Sequence, residues 1–128
     1  MHEQDMAILK SLVAVAWADG HFAAEEREHL EALISAFGAS AAEADTIRQW
    51  SSTPRTIADI PLSELSRDDR RTLLNHAVVL THIDGEQSSD EAELIQHLRA
   101  HLRIEPAEAE AIIGAAEARV KRLLQATT

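Results

Sequence analysis

Carboxylates gather at two places in this chain, each around an Asp-Gly pair. The first tract reads AVAWADGHFAAEEREHLEALISAF (14–37) and the second AVVLTHIDGEQSSDEAELIQHLRAHL (77–102). In each, an Asp (Asp19, Asp84) stands seven residues before a Glu (Glu26, Glu91). A further acid precedes that Glu (Glu25, Asp90) and another follows two positions on (Glu28, Glu93). Glycine after the Asp (Gly20, Gly85) lets the chain turn through positive φ without a Cβ clash. Carboxylates drawn across one tight turn are hard oxygen ligands, which suit Ca²⁺ or Mg²⁺ better than Zn²⁺ with its preference for nitrogen and sulfur. Asp19, Glu26, Asp84 and Glu91 are therefore the candidate metal ligands. Too few acids alternate through the turn for an EF-hand loop. A structural reading stands beside the chemical one: Asp in a turn accepts backbone N–H bonds, Ser88 with Glu91 spells a capping box, and acids in a first turn complement the helix dipole.

A second constellation is Glu93, His97 and His101, spaced four apart on one helical face, where paired imidazoles can chelate a transition metal. The first tract has Glu28, Ala32 and Ala36 at those positions, and the HExxH form of a zinc protease is missing, so a solvated helix face is the competing reading. His82, two residues before Asp84, is placed to lend a ligand or a hydrogen bond to the second corner. Trp17 and Phe37 read as core packing. Phe22 sits inside the first corner as an apolar plug, and Gln87 replaces it in the second, which predicts a looser or wetter corner there. Nothing else points to catalysis: there is no Cys or Tyr, no Gly-rich phosphate loop and no Ser-His-Asp arrangement, so a non-enzyme is expected.

The elements that position these residues repeat with them. Setting Asp19 on Asp84 gives an offset of 65 positions, at which Gly20 meets Gly85, Leu30 meets Ile95, Leu33 meets Leu98 and Phe37 meets Leu102. Apolar spacing of three and four predicts helices over about 3–18, 24–37 and 40–50, a fourth that opens at Ser66 and is ended by Asp84-Gly85, a fifth from Ser88 or Ser89 to about Leu102, and a last from Pro106 to about Leu124. Gly38 suits a helix C-terminus, Ser40 with Glu43 and Ser66 with Asp69 suit helix starts, and Pro106 suits a first helical position. The last helix is expected to bury Ile112, Ile113, Ala116, Val120, Leu123 and Leu124. The stretch 51–65, with Pro54 and Pro61, reads as a connector holding one short turn of helix. The fold class expected is all-α: a compact bundle of about six or seven helices built from two helix–acidic loop–helix repeats. Repeat one is about 6–50 and repeat two about 66–124, packed on each other in a single domain over 1–128 because neither half has an adequate core alone.

Composition agrees with this. Of 128 residues 45% are hydrophobic, and there are four glycines and three prolines, which suits helices. A net charge of −10 argues against nucleic acid and anionic membrane surfaces as partners, and is compatible with cations, basic peptides or simple solubility. The absence of cysteine excludes disulfides and thiolate metal sites. The start, MHEQDM, is polar where a signal peptide would be basic and then apolar, and no apolar run is long enough for a membrane span; the cytoplasm is the expected compartment.

The tract LVAVAWADGHFAAEERE (12–28), with its partner VVLTHIDGEQSSDEAELI (78–95), resembles the TerB-like (tellurite-resistance B) domain, a family with paired helix–Ala-Asp-Gly loop–Glu–helix units in an all-α fold. The resemblance covers most of the chain, roughly 6–124. It implies a small cytoplasmic bacterial protein linked to stress, tellurite or metal-ion responses, with acidic patches that bind divalent cations. The motif residues carried over are Asp19, Gly20 and Glu26, and Asp84, Gly85 and Glu91. A related domain is attached to some DnaJ-type membrane co-chaperones, but no J-domain pattern is present here. The sequence departs from the motif at Ala23, where a capping Ser or Thr is usual, and at Ile83 and Gln87. A protein partner of unidentified kind, docked on the acidic face without metal, is the alternative function.

Overall fold

The computed structural model describes residues 3–18, 24–82 and 87–126, without the side chains of Leu124 and Ala126. Among the described residues there are six α-helices and no strand: α1 (Glu3–Trp17), α2 (Ala24–Ala36), α3 (Ala41–Ser51), α4 (Arg67–Thr81), α5 (Ser89–His101) and α6 (Pro106–Ala126). The duplication is preserved element by element. Shifted by 65 positions, α2 falls on α5 at both ends and the start of α3 falls on the start of α6.

Local chemistry sets the boundaries. Ser40, Ser66 and Ser88 each accept a bond from the backbone N–H three residues on, while Glu43, Asp69 and Glu91 reach back to the serine N–H, closing three capping boxes. At the far end of α2, Gly38 adopts φ +74°; its N–H reaches the carbonyl of Ser35 and that of Ala39 reaches Ile34. This satisfies carbonyls that the helix end would otherwise leave orphaned. The matching position after α5 is Arg103, which makes the same turn at φ +57°. A side chain in this left-handed region costs about 1 kcal/mol relative to glycine.

One core cluster draws residues from all six helices. Its centre is the pair α1 and α4, through the fully buried Leu9, Val13, Leu73, Leu74, Ala77 and Val78. The pairs Leu9/Leu74 and Val13/Val78 are related by the same offset, so the two repeats share one apolar seam. Around it, α2 and α3 pack on α1 while α5 and α6 pack on α4. Burial at this seam supplies the main stabilisation, since each buried aliphatic side chain contributes roughly 1.5–3 kcal/mol. The ion pair from Arg48 to Glu31, with both contacts at 2.9 Å, joins α3 to α2. That from Arg71 to Glu108 joins α4 to α6.

Two expectations need correction. The connector holds two short 3-10 turns, Ile57–Asp59 and Leu62–Glu64, rather than one. The Asp59 carboxylate closes the first by accepting the Thr56 N–H at 2.8 Å, and the buried Ile57, Ile60 and Leu65 anchor the segment to the core. Leu123 is 56% exposed rather than buried. Glu108 pairs with Arg71 early in α4, and Glu117 already lies beside His82 at the end of α4. Residues of α6 beyond about 120 therefore overrun the helix they pack on. The expected burial of Ala116 and Val120 is observed, Ile112 and Ile113 are partly buried, and the Leu124 side chain lies outside what is described.

Candidate acidic site and a second, cationic cleft

Asp19, Gly20 and Phe22 of the first corner, and Ile83, Asp84 and Gly85 of the second, lie outside the described residues. Their flanks are described. Ala16 near the end of α1, Glu26 in the first turn of α2 and Leu80 near the end of α4 line one small gap, with His29 beside them. Ala18, at the threshold of the first corner, lines a cleft of about 330 Å³ with Asp90, Glu93 and His97 of α5. The ends of α1 and α4 thus lie at the same end of the molecule, and each acidic helix start is adjacent to the other repeat.

Of the candidate ligands, Glu26 is partly exposed, beside a gap of about 10 Å³, room for one water at most. Glu91 has one carboxylate oxygen occupied, since Oε1 accepts the Ser88 N–H at 3.0 Å. Its capping role is therefore real, and Oε2 is what it can offer a cation. The donor set, all carboxylate, fits a hard divalent ion in kind. Asp90 and Glu93 are exposed and engage in no ion pair among the described residues.

Glu93, His97 and His101 do not come together as a metal site: among the described residues no three His, Asp or Glu side chains are arranged to hold an ion. Glu93 and His97 face the cleft beside Ala18, whereas His101 turns its Nε2 into a buried position without a hydrogen bond among the described residues. Burial, followed by the nearby His97 and Arg103, holds His101 below the ordinary imidazole range. His82 caps α4 and sets its Nε2 3.6 Å from Glu117 of α6. Gln87, expected to loosen the second corner, donates its amide to the Thr81 hydroxyl at 2.9 Å and ties the corner's exit back to α4.

Trp17 and Trp50 are occupied structurally. Their indole N–H groups donate to the carbonyls of Ser51 and Lys10, and the Arg55 guanidinium covers the Trp50 ring at 3.6 Å. Between α2 and α4, His76 meets the Phe37 ring edge-on at 6.0 Å. Burial pushes both His29 and His76 down from 6.5; His29 and then Arg119 add to the effect at His76.

No sequence motif marks a second cleft, of about 440 Å³, at the opposite end of α4, where Arg67, Arg70 and Arg103 converge. Arg67 and Arg70 come from the first turn of α4, and Arg103 from the turn after α5, so their meeting depends on the fold. The one signal available beforehand was the offset of 65, which sets Arg103 against Gly38. Comparison with family models, with curated proteins and with solved structures gives no match to this chain.

Proposed function

We propose that the chain is a non-enzymatic, cytoplasmic TerB-like module of a stress or tellurite/metal-ion response, which binds a divalent cation, Ca²⁺ or Mg²⁺, through its two Asp-Gly corners. The observation that carries this reading is the adjacency of the corners' flanks: Ala16, Glu26 and Leu80 share one gap, and Ala18 shares a cleft with Asp90 and Glu93. Carboxylates from two repeats crowded at one end repel one another, and a cation removes that repulsion. Asp19, Glu26, Asp84 and Glu91 are the ligands in this account.

Calorimetric titration of metal-free protein with Ca²⁺, Mg²⁺, Mn²⁺ and Zn²⁺ tests it. Saturable binding of a hard cation, weakened by Asp19→Asn with Asp84→Asn, is the expected outcome. Glu91→Gln is expected to weaken binding while leaving the fold intact, since glutamine also closes a capping box. A second reading, an acidic face docking a basic or helical protein without metal, is favoured by Asp90 and Glu93, which are exposed and engage in no ion pair among the described residues. It predicts no saturable metal heat and undiminished binding of a Lys/Arg-rich helical peptide in the presence of chelator.

A further inference from the structure

The three arginines of the second cleft do not share one role. Arg70 is structural: its Nε donates to the Leu65 carbonyl at 3.2 Å, and its two terminal nitrogens donate to Leu62 at 2.9 Å and Leu102 at 3.3 Å. It fixes the connector against the end of α5 and still has two N–H donors unused. Arg67 and Arg103 are exposed, and no hydrogen bond or ion pair among the described residues engages either guanidinium. Two carboxylates also border the cleft. Glu108 is already gripped by Arg71, which holds it below the usual carboxylate range, and Glu105 is exposed. A positive excess therefore remains, on a molecule whose net charge is −10.

Backbone conformation adds an independent observation. Arg103 occupies a left-handed turn for which the first repeat uses Gly38. At the same offset Arg70 corresponds to Asp5, so the cationic cleft belongs to the second repeat alone. An arginine kept where glycine is the relaxed choice, facing two other arginines across a concavity, fits a site that receives negative charge. At the start of α4 the capping box already occupies the backbone N–H groups of Ser66 and Asp69.

We propose that the cleft between Arg67, Arg70 and Arg103 binds a small, multiply charged oxyanion, a phosphate ester or a polycarboxylate. Its volume of about 440 Å³ accommodates a metabolite-sized ligand. Arg67 and Arg103 grip the oxyanion from opposite elements, α4 and the turn after α5. Arg70 presents its remaining donors from the wall, and the partly buried Ile104 gives an apolar contact to the ligand's body. This site is independent of the acidic corners at the other end of α4.

The test is titration of the full chain with pyrophosphate and, separately, with citrate, at low ionic strength with chelator present so that no divalent cation contributes. Saturable binding of at least one is expected, with the preferred anion distinguishing phosphate from carboxylate chemistry. Arg67→Ala and Arg103→Gly are each expected to weaken it by about tenfold or more. Arg103→Gly should do so while leaving the melting temperature equal or higher, because glycine relaxes the turn. That combination separates loss of a ligand contact from loss of structure. Absence of saturable binding to both anions, or undiminished binding in the Arg67→Ala/Arg103→Gly double variant, overturns the proposal.

Discussion

The imidazoles of His29 in α2 and His76 in α4 are partly buried, and burial favours their neutral forms. The unfolded chain, with ordinary values near 6.5, binds protons more readily than the folded one. Their contribution to stability is therefore complete above pH 6.5 and is lost as pH falls below it toward the lower folded values. The carboxylates of Glu31 and Glu108, lowered from 4.5 chiefly by hydrogen bonds from Arg48 and Arg71, contribute above 4.5 and fade only as pH falls below it. Two separate losses are thus expected. Thermal melts between about pH 8 and pH 5.5 should show the first. A His29→Gln/His76→Gln variant should reduce this slope to the share left by His101, which burial lowers in the same way, and keep the acid-side one. A slope unchanged in that variant would remove the histidine pair from the account.

Helix ends carry the next level of specification, and there the sequence was most legible. Serine–acid pairs three apart marked the starts of α3, α4 and α5, Gly38 marked the end of α2, and Pro106 the start of α6, because capping is decided within a few residues of chain. What escaped were features set by contacts between distant segments. Leu123 has helical spacing suited to burial, but α6 outruns α4 before reaching it. In the second cleft, Arg103 lies too far in sequence from Arg67 and Arg70 to form a motif with them. The acidic site was legible as a pattern, whereas the sharing of Glu91 between capping and any ligand role needed its hydrogen bond to Ser88. Two substitutions test the helix ends. Gly38→Ala meets no atom within 4 Å, so its expected cost of about 1 kcal/mol comes from φ alone. Ser66→Ala removes one capping acceptor and is expected to cost about 1 kcal/mol. Denaturant midpoints measure both, and no loss at Gly38→Ala would contradict the conformational argument.

Over the whole molecule, one core carries helices that match at an offset of 65 and ends that differ chemically. The seam of α1 and α4 is nearly symmetric, since Leu9 and Val13 are matched by Leu74 and Val78. The ends are not. Acidic corners leave from the C-terminal ends of α1 and α4, while the arginine cleft lies at the N-terminal end of α4, about 16 Å away along that helix from Arg70 to Thr81. No helix is long and apolar enough to cross a membrane among the described residues.

The central claim is that the two acidic corners act as one unit. A double-mutant cycle in cation affinity, with Asp19→Asn, Asp84→Asn and the pair measured by calorimetry, tests it most directly. If both carboxylates serve one ion, the two losses are strongly non-additive, with a coupling of about 1 kcal/mol or more. Losses that simply add, or no saturable binding by the unmodified protein, would contradict it.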